Sequence, residues 1–350
     1  MLSNWFTKPF LLALSVVFLT VVSSGNSTQA QVINLDLSGI VVAAEEEDEE
    51  GAEEGEGLTL ANALRYVDAV RRGQAFWNAR VLGYSNTLPR EIQAQLPGGL
   101  LIFVSNEDIP VAGVLGQAGV DTTTVIRVVR GTFLNTRQVA VGTLAIFTLD
   151  DDFIANSTDD ELTDVAIHEF GHALGIGTLW NENGLVQQFG FGPGQYVGVE
   201  GRRAFAIESG AAGLARTGFV PVEQSGGPGT AGSHWDDDEP TFNTIATNGR
   251  VEILTGFFVP NTERFLSRTT LGSLVDLHYV VRGFNEDELI QFPGQNVAFG
   301  PSTDAFFSSG SIANQTGFNA NPFGANRALE QSNASKQPRR APSVYKKRRR

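Results

Sequence analysis

Hydrophobic and polar positions change spacing several times along the chain, and the spacing predicts a mixture of helices and strands. Apolar residues at helical intervals predict a first helix over residues 58–77, where we expect ordered structure to begin. Three β-branched or apolar runs, separated by glycine, proline and asparagine clusters, then predict strands. These runs cover residues 100–104, 125–129 and 139–149. Helix and strand therefore alternate early in the chain.

The next predicted helix has the clearest boundary signals. Thr158 and Glu161 have the spacing of a capping box, and acidic residues fill the first turn. Gly175 is the kind of residue that ends a helix, so we expect this helix to cover residues 159–174.

Beyond this helix the pattern weakens. Glycine and proline are frequent over residues 181–256, which predicts loops with one short helix near residues 201–206. A last helix is expected over residues 267–279, with His278 on its apolar stripe.

The N-terminal segment has the pattern of a secretory signal peptide. Lys8 precedes an apolar run over residues 10–22, followed by small and polar residues. We expect cleavage after Ala30, with Gly25 as the alternative. The apolar run is too short to cross roughly 30 Å of hydrocarbon, so no transmembrane span is expected in the mature chain. The sequence therefore predicts a secreted protein.

Charge divides the rest of the chain into three segments. Residues 31–57 contain an acidic run and are interpreted as a linker or pro-segment, and residues 58–285 as one folded domain. Residues 286–350 form a low-complexity tail with a basic C-terminus, either solvated or in contact with an anionic surface. The net charge of −14 argues against nucleic-acid binding, and the absence of cysteine excludes a cysteine protease.

The helix over residues 159–174 carries the sequence His168-Glu169-Phe170-Gly171-His172, which has the H-E-x-x-H form. Histidines four residues apart lie on one helix face, so two imidazoles can bind one ion. Glu169 can then lie beside the open coordination position and take a proton from a zinc-bound water. The helix is otherwise almost entirely apolar, so these polar side chains would be costly to bury without an ion.

The third metal ligand is less clear from the sequence. The short metzincin motif requires glycine and histidine three and six residues after the second ligand, and here Gly175 is followed by Thr178. The remaining candidates are His234, His278, Glu200 and Glu208. His234 is favoured because it lies in a glycine-rich loop that could fold back over the helix, whereas the position of His278 favours packing.

Several ordered blocks resemble the leishmanolysin-like metallopeptidases, a metzincin branch with a long insertion before the third histidine. The blocks are residues 115–119, 168–180, 220–223, 226–229, 233–235, 252–256, 266–268 and 274–277. The resemblance implies an endopeptidase acting on proteins or peptides, with one catalytic Zn²⁺ and with residues 58–285 as the metallopeptidase catalytic domain. It also implies His168, His172 and His234 as zinc ligands and Glu169 as the general base.

Two features depart from this family. Leu254 stands where the family has a methionine beneath the zinc, and the only methionine here is Met1. Some members are rich in disulfides and lipid-anchored, but this chain has no cysteine and ends in a basic segment rather than the apolar tail that such an anchor requires. The resemblance is therefore closer to the cysteine-poor microbial members.

The resulting expectation is a metzincin-like α/β (α+β) fold: a twisted mixed sheet with the active-site helix, then a loop-rich C-terminal subdomain with a final helix. We expect residues 139–149 to be an edge strand on which an extended peptide substrate pairs. The alternative functions are a zinc amidase, or a non-catalytic secreted matrix or adhesive protein that retains a structural zinc site.

Overall fold

The computed structural model describes residues 32–43, 57–94, 96, 99–111, 113–130, 135–188, 194–210, 218–284, 327–330 and 343–347 of the 350-residue chain. The expected signal peptide, residues 1–30, and most of the acidic run lie outside these residues. Within the described residues, no helix has the length and apolar character needed to cross a membrane.

Helices and strands alternate over the first half of the described chain. The helices are α1 (Leu60–Asn78), α2 (Arg90–Gln93), α3 (Asp151–Asn156), α4 (Asp159–Ala173), α5 (Val199–Glu208), α6 (Ile245–Asn248) and α7 (Arg268–Asp276). The strands are β1 (Ile33–Gly39), β2 (Val81–Tyr84), β3 (Leu100–Glu107), β4 (Val114–Arg130), β5 (Asn135–Asp150), β6 (Val186–Gln187), β7 (Gln195–Tyr196), β8 (Arg250–Glu252), β9 (Phe257–Phe258), β10 (Glu263–Phe265), β11 (Tyr279–Val281), β12 (Arg327–Glu330) and β13 (Ser343–Lys347).

The largest sheet is mixed. Among the described residues, its strands follow the order β1-β3-β5-β4-β13-β9, and β12 also pairs with β4. Strands β1, β3 and β5 are mutually parallel, whereas β4 runs antiparallel to β5. The expected mixture of helices with a mixed sheet is confirmed.

Helix α4 is buried between α1 and the sheet. On one side, Trp77 of α1 donates a hydrogen bond from Nε1 to the carbonyl oxygen of Ile167, 2.8 Å away. A Cβ on Gly73 would lie 2.7 Å from the ring of Phe170, so this glycine allows the two helices to approach closely. On the other side, Phe147 of β5 contacts Phe170 with ring centroids 5.4 Å apart. The motif-bearing helix therefore lies in the core.

The three longest predicted helices are confirmed as α1, α4 and α7, and the predicted strand runs lie within β3, β4 and β5. The prediction that residues 181–256 are mainly loops is also confirmed, with α5 extending the short helix expected there.

The expectation that order begins near Leu58 is wrong. Ile33–Gly39 forms β1, which pairs in parallel with β3. Its apolar residues Ile33, Leu35 and Leu37 alternate with polar ones, as in a strand with one face buried. The neighbouring acidic run had obscured this short signal.

The assignment of residues 139–149 to an edge strand is also wrong. These residues lie in β5, which pairs with β3 on one side and β4 on the other. Their nearly continuous apolar character is typical of a strand buried inside a sheet. Strand β4 follows β5 in the order of the sheet, and it also runs beside helix α4.

Two further expectations require correction. His278 does not lie on the stripe of α7, because the helix ends at Asp276 and His278 has a φ of 73°. The C-terminal tail is not without structure, since β12 and β13 both pair with β4.

Candidate metal centre

Both ends of helix α4 are fixed by local hydrogen bonds. The hydroxyl of Thr158 accepts a hydrogen bond from the Glu161 N–H at 3.2 Å, and the Glu161 carboxylate accepts one from the Thr158 N–H at 3.0 Å. The predicted capping box is therefore confirmed. Gly175 has a φ of 107°, and its N–H donates to the carbonyl oxygen of His172 at 3.0 Å. The helix thus holds His168 and His172 in fixed positions on one face.

The loop carrying His234 approaches the end of α4 closely. A Cβ on Gly177 would lie 2.1 Å from the carbonyl oxygen of Ser233, so only glycine fits there. The N–H of Glu223 donates to the His234 carbonyl at 2.9 Å, and the Trp235 N–H donates to the Leu254 carbonyl at 3.0 Å. These contacts place His234 against the two helix histidines.

Aromatic packing holds the same loop from behind. The ring of Trp235 contacts those of Trp180, Tyr196 and Phe242, with centroids 4.7, 5.3 and 5.4 Å apart. Its Nε1 donates to the hydroxyl of Thr270 in α7 at 2.8 Å. The aromatic cluster therefore holds Trp235, the residue next to His234, in one position.

The three histidine side chains converge through their Nε2 atoms. The distances are 2.9 Å between His168 and His172, 3.0 Å between His172 and His234, and 3.2 Å between His168 and His234. All three residues are completely buried. A tetrahedral ion with Zn–N bonds of about 2.0–2.1 Å would place its ligand nitrogens about 3.3–3.4 Å apart, which a small relaxation of this triangle reaches.

The second nitrogen of each ring fixes its tautomer. The Nδ1 atoms of His168, His172 and His234 lie 2.5, 2.8 and 2.9 Å from the carbonyl oxygens of Ile253, Ile176 and Thr230. A carbonyl only accepts hydrogen bonds, so each Nδ1 carries the proton and, in the neutral ring, each Nε2 presents a lone pair.

Burial keeps the rings neutral. It lowers the pKa of His168 and of His172 well below the usual histidine range, and that of His234 to about 4. Three lone pairs therefore face one another in an apolar site, an arrangement that a shared cation stabilises. The buried group His168, His172 and His234 could hold a metal ion.

Glu169 lies next to this triangle and is also completely buried. Neither carboxylate oxygen has a hydrogen-bond partner among the described residues. Burial raises the pKa of Glu169 well above its usual range. A Cβ on Gly116 of β4 would lie 3.2 Å from Oε1, so this strand passes directly beside the carboxylate. A buried carboxylate without partners is costly to maintain, which is typical of a functional group rather than a packing residue.

A turn over residues 252–255 forms the floor beneath the histidines. Its Ile253 carbonyl accepts from His168, and its Leu254 side chain is completely buried against Gly171, between the two helix histidines in sequence. A Cβ on Gly171 would lie 2.8 Å from Leu254 Cδ1. Leu254 therefore occupies the position under the triangle that the sequence analysis expected.

Glu252 holds this turn in place, a role that could not be predicted from the sequence. Its carboxylate accepts hydrogen bonds from the backbone N–H groups of Leu254 and Ser267 and from the hydroxyls of Ser267 and Thr270. The only sequence signal was an acidic residue within an otherwise apolar run before a predicted helix.

The other candidate ligands lie elsewhere. Glu208 accepts hydrogen bonds from the N–H groups of Arg268 and Thr269 at the start of α7. Glu200 forms an ion pair with Arg203 at 2.8 Å. His278 lies beyond α7, where its carbonyl accepts from the Ser85 N–H at 2.7 Å. None of these three residues belongs to the buried histidine group.

Comparison with protein-family models and with curated protein sequences found no match to this chain. The resemblance to the leishmanolysin-like metallopeptidases therefore depends on the sequence blocks alone. The geometry of the three histidines itself supports a metal centre.

Proposed function

We propose that this protein is a secreted zinc-dependent endopeptidase of the leishmanolysin-like type. The observation that carries the proposal is the convergence of three Nε2 lone pairs beside the buried, unpartnered carboxylate of Glu169. A purely structural metal site would not need that carboxylate. The secreted location follows from the N-terminal pattern.

The donor set favours zinc. Three neutral imidazoles with an open fourth position are the ligand set of catalytic zinc sites, whereas Ca²⁺ and Mg²⁺ prefer oxygen ligands. When bound, zinc would polarise the substrate carbonyl and lower the pKa of water towards 7. His168, His172 and His234 would hold the ion, and their Nδ1–H groups keep the rings oriented through backbone carbonyls.

Glu169 would act as the general base and then as the acid. Its carboxylate would accept the proton of the attacking water and later transfer that proton to the leaving amine. The apolar surroundings that raise its pKa make this carboxylate a stronger proton acceptor than an exposed glutamate.

Replacing the base tests this role. Glu169→Gln keeps all three histidines, so we expect the zinc content to remain at the parental value while casein hydrolysis falls by about 10²- to 10⁴-fold. Asp160→Asn, an exposed position on the same helix, is the matched control and should change neither quantity. Hydrolysis by the Glu169→Gln protein at the parental rate would exclude Glu169 as the base.

The same assay separates the alternative functions. A parental protein that binds zinc but cleaves neither proteins nor amides would have a structural metal site, and one that cleaves only small amides would be an amidase. Cleavage of internal bonds in casein, with fragments identified by mass spectrometry, supports the endopeptidase.

A further inference from the structure

Strand β13, near the C-terminus, lies between two other strands beside the metal centre. Its residues Ser343, Val344 and Tyr345 pair antiparallel with Ala118, Gln117 and Gly116 of β4. Lys346 and Lys347 pair in parallel with Phe257 and Phe258 of β9. The C-terminal segment is thus one strand within a sheet whose neighbours on both sides come from the main body of the chain.

Each of the two neighbouring strands comes close to one residue of the candidate site. On β4, a Cβ added to Gly116 would lie 3.2 Å from Glu169 Oε1. Next to β9, a Cβ on Gly256 would lie 3.5 Å from the ring of His234. A chain that pairs with both strands therefore passes beside the carboxylate and beside the third histidine.

Lys346 pairs with Val114 of β4 and with Phe257 of β9, so at this residue a single strand fills the space between β4 and β9. Paired strands lie about 4.8 Å apart, so an occupant that bonds to both neighbours must be a single extended chain. Backbone hydrogen bonds supply most of the affinity in this mode of binding and make little demand on side chains. His168, Glu169, His172 and His234 are completely buried in the structure that contains β13.

Charge favours the same occupant. The segment that contains β13 ends in five consecutive basic residues, 346–350, while the whole chain has a net charge of −14. The rest of the chain therefore has an acidic net charge, which favours association with a basic segment in general.

We infer that the space between β4 and β9 is a peptide-binding groove, and that Ser343–Lys347 occupies it within the same molecule. The groove takes one extended chain running antiparallel to β4 and parallel to β9. A peptide from another molecule must displace β13 before it can bind. That such a peptide would be a substrate rests on the proposed function, whereas the binding itself does not.

Proline substitution in the full-length chain tests this inference. Proline has no N–H and cannot donate to a strand ladder, so Val344→Pro/Lys346→Pro weakens the pairing of β13. Val344→Ala/Lys346→Ala is the matched control, since it removes the same side chains but keeps both N–H groups. Both variants are made in the Glu169→Gln background, so that no added peptide is cleaved.

The main measurement is the binding of a fluorescent synthetic peptide with the sequence of residues 343–350. A tethered occupant competes at an effective concentration in the millimolar range, so the proline variant should bind the peptide at least about tenfold more tightly than the alanine variant. Hydrogen exchange gives a second readout. Those amides of residues 114–118 that face β13 rather than β5 should exchange faster in the proline variant than in the alanine variant.

The outcomes are distinct from those that test the proposed function. Equal peptide affinity and equal amide protection in the two variants would overturn the inference, whether or not the protein hydrolyses casein. In variants that keep Glu169, faster cleavage at low substrate concentration with an unchanged maximal rate would show that the groove is the substrate site. Tighter peptide binding without any hydrolysis would support the groove and reject the endopeptidase.

Discussion

Leu254 is completely buried beneath the histidine triangle. A Cβ added to Gly171 would lie 2.8 Å from the Cδ1 of Leu254. Methionine has a similar volume, and volume-conserving exchanges usually cost less than about 1.5 kcal/mol. We therefore expect Leu254→Met to leave thermal stability and zinc content nearly unchanged. Leu254→Ala should lower the free energy of unfolding by about 2–5 kcal/mol, because it leaves a cavity in the floor of the site.

Thermal unfolding combined with chelator titration measures both effects. If Leu254→Ala matches the parent in stability and in zinc retention, the turn over residues 252–255 does not support the metal centre. The account of how the C-terminal half positions His168 would then be wrong.

The two histidines outside the helix motif differ in their surroundings. His234 Nε2 lies 3.0 and 3.2 Å from the other two Nε2 atoms, whereas His278 is outside that group. His234→Ala should therefore lower the zinc content sharply, and His278→Ala should leave it at the parental level. Metal analysis by mass spectrometry decides the matter, and full zinc retention by His234→Ala would contradict the proposed ligand set.

The role of a residue can be predicted from the sequence when the residues that act with it lie close to it in the chain. His168, Glu169 and His172 stand out because the motif needs only one helix to bring them together. His234 was favoured among four candidates from its loop, and the structure brings it to the helix histidines. Glu252 was missed, because its four hydrogen-bond donors come from its own turn and from the start of α7, and nothing in a linear pattern shows that they converge.

At the scale of elements, Glu252 joins the turn beneath the site to helix α7. Burial raises its pKa to about 7, although the hydrogen bonds from Leu254, Ser267 and Thr270 offset part of that effect. Glu252→Gln keeps the volume but turns an –NH₂ group towards one of these donors. We expect a loss of about 1–3 kcal/mol in the free energy of unfolding and weaker zinc binding, since the Ile253 carbonyl moves with the turn.

Chemical denaturation with and without zinc measures this effect. Glu263→Gln, which removes a partly exposed ion pair with Arg250 at the neighbouring strands, is the control and should cost no more than about 1 kcal/mol. A loss in the Glu252→Gln protein no larger than in this control would show that the carboxylate does not brace the site.

Elements with strong local signals could be predicted, and their partners could not. The capping box and Gly175 define α4 within the sequence itself, and both boundaries agree with the structure. Strand β5 was recognised but placed at an edge, because pairing with β3 and β4 depends on contacts distant in sequence. Likewise, β13 pairs with residues more than two hundred positions away, so the tail alone gives no sign of it.

At the scale of the whole molecule, the class of fold follows from the alternation of helix and strand patterns, and the mixed sheet confirms it. The resemblance to leishmanolysin-like enzymes and the secreted location stay predictions. The arrangement of the whole chain accounts for the site: α1 and the sheet bury α4, and the loop-rich second half brings the third histidine and the floor to it.

Under the proposed function, three histidines hold one zinc ion that makes the protein an endopeptidase. The most direct test is casein cleavage by the purified full-length protein before chelation, after chelation, and after return of one equivalent of zinc, with the bound metal quantified at each step. We expect about one zinc per chain, loss of cleavage with the metal, and recovery of both together. Cleavage that persists after all zinc has been removed, or a zinc-loaded protein that never cleaves casein, would contradict it.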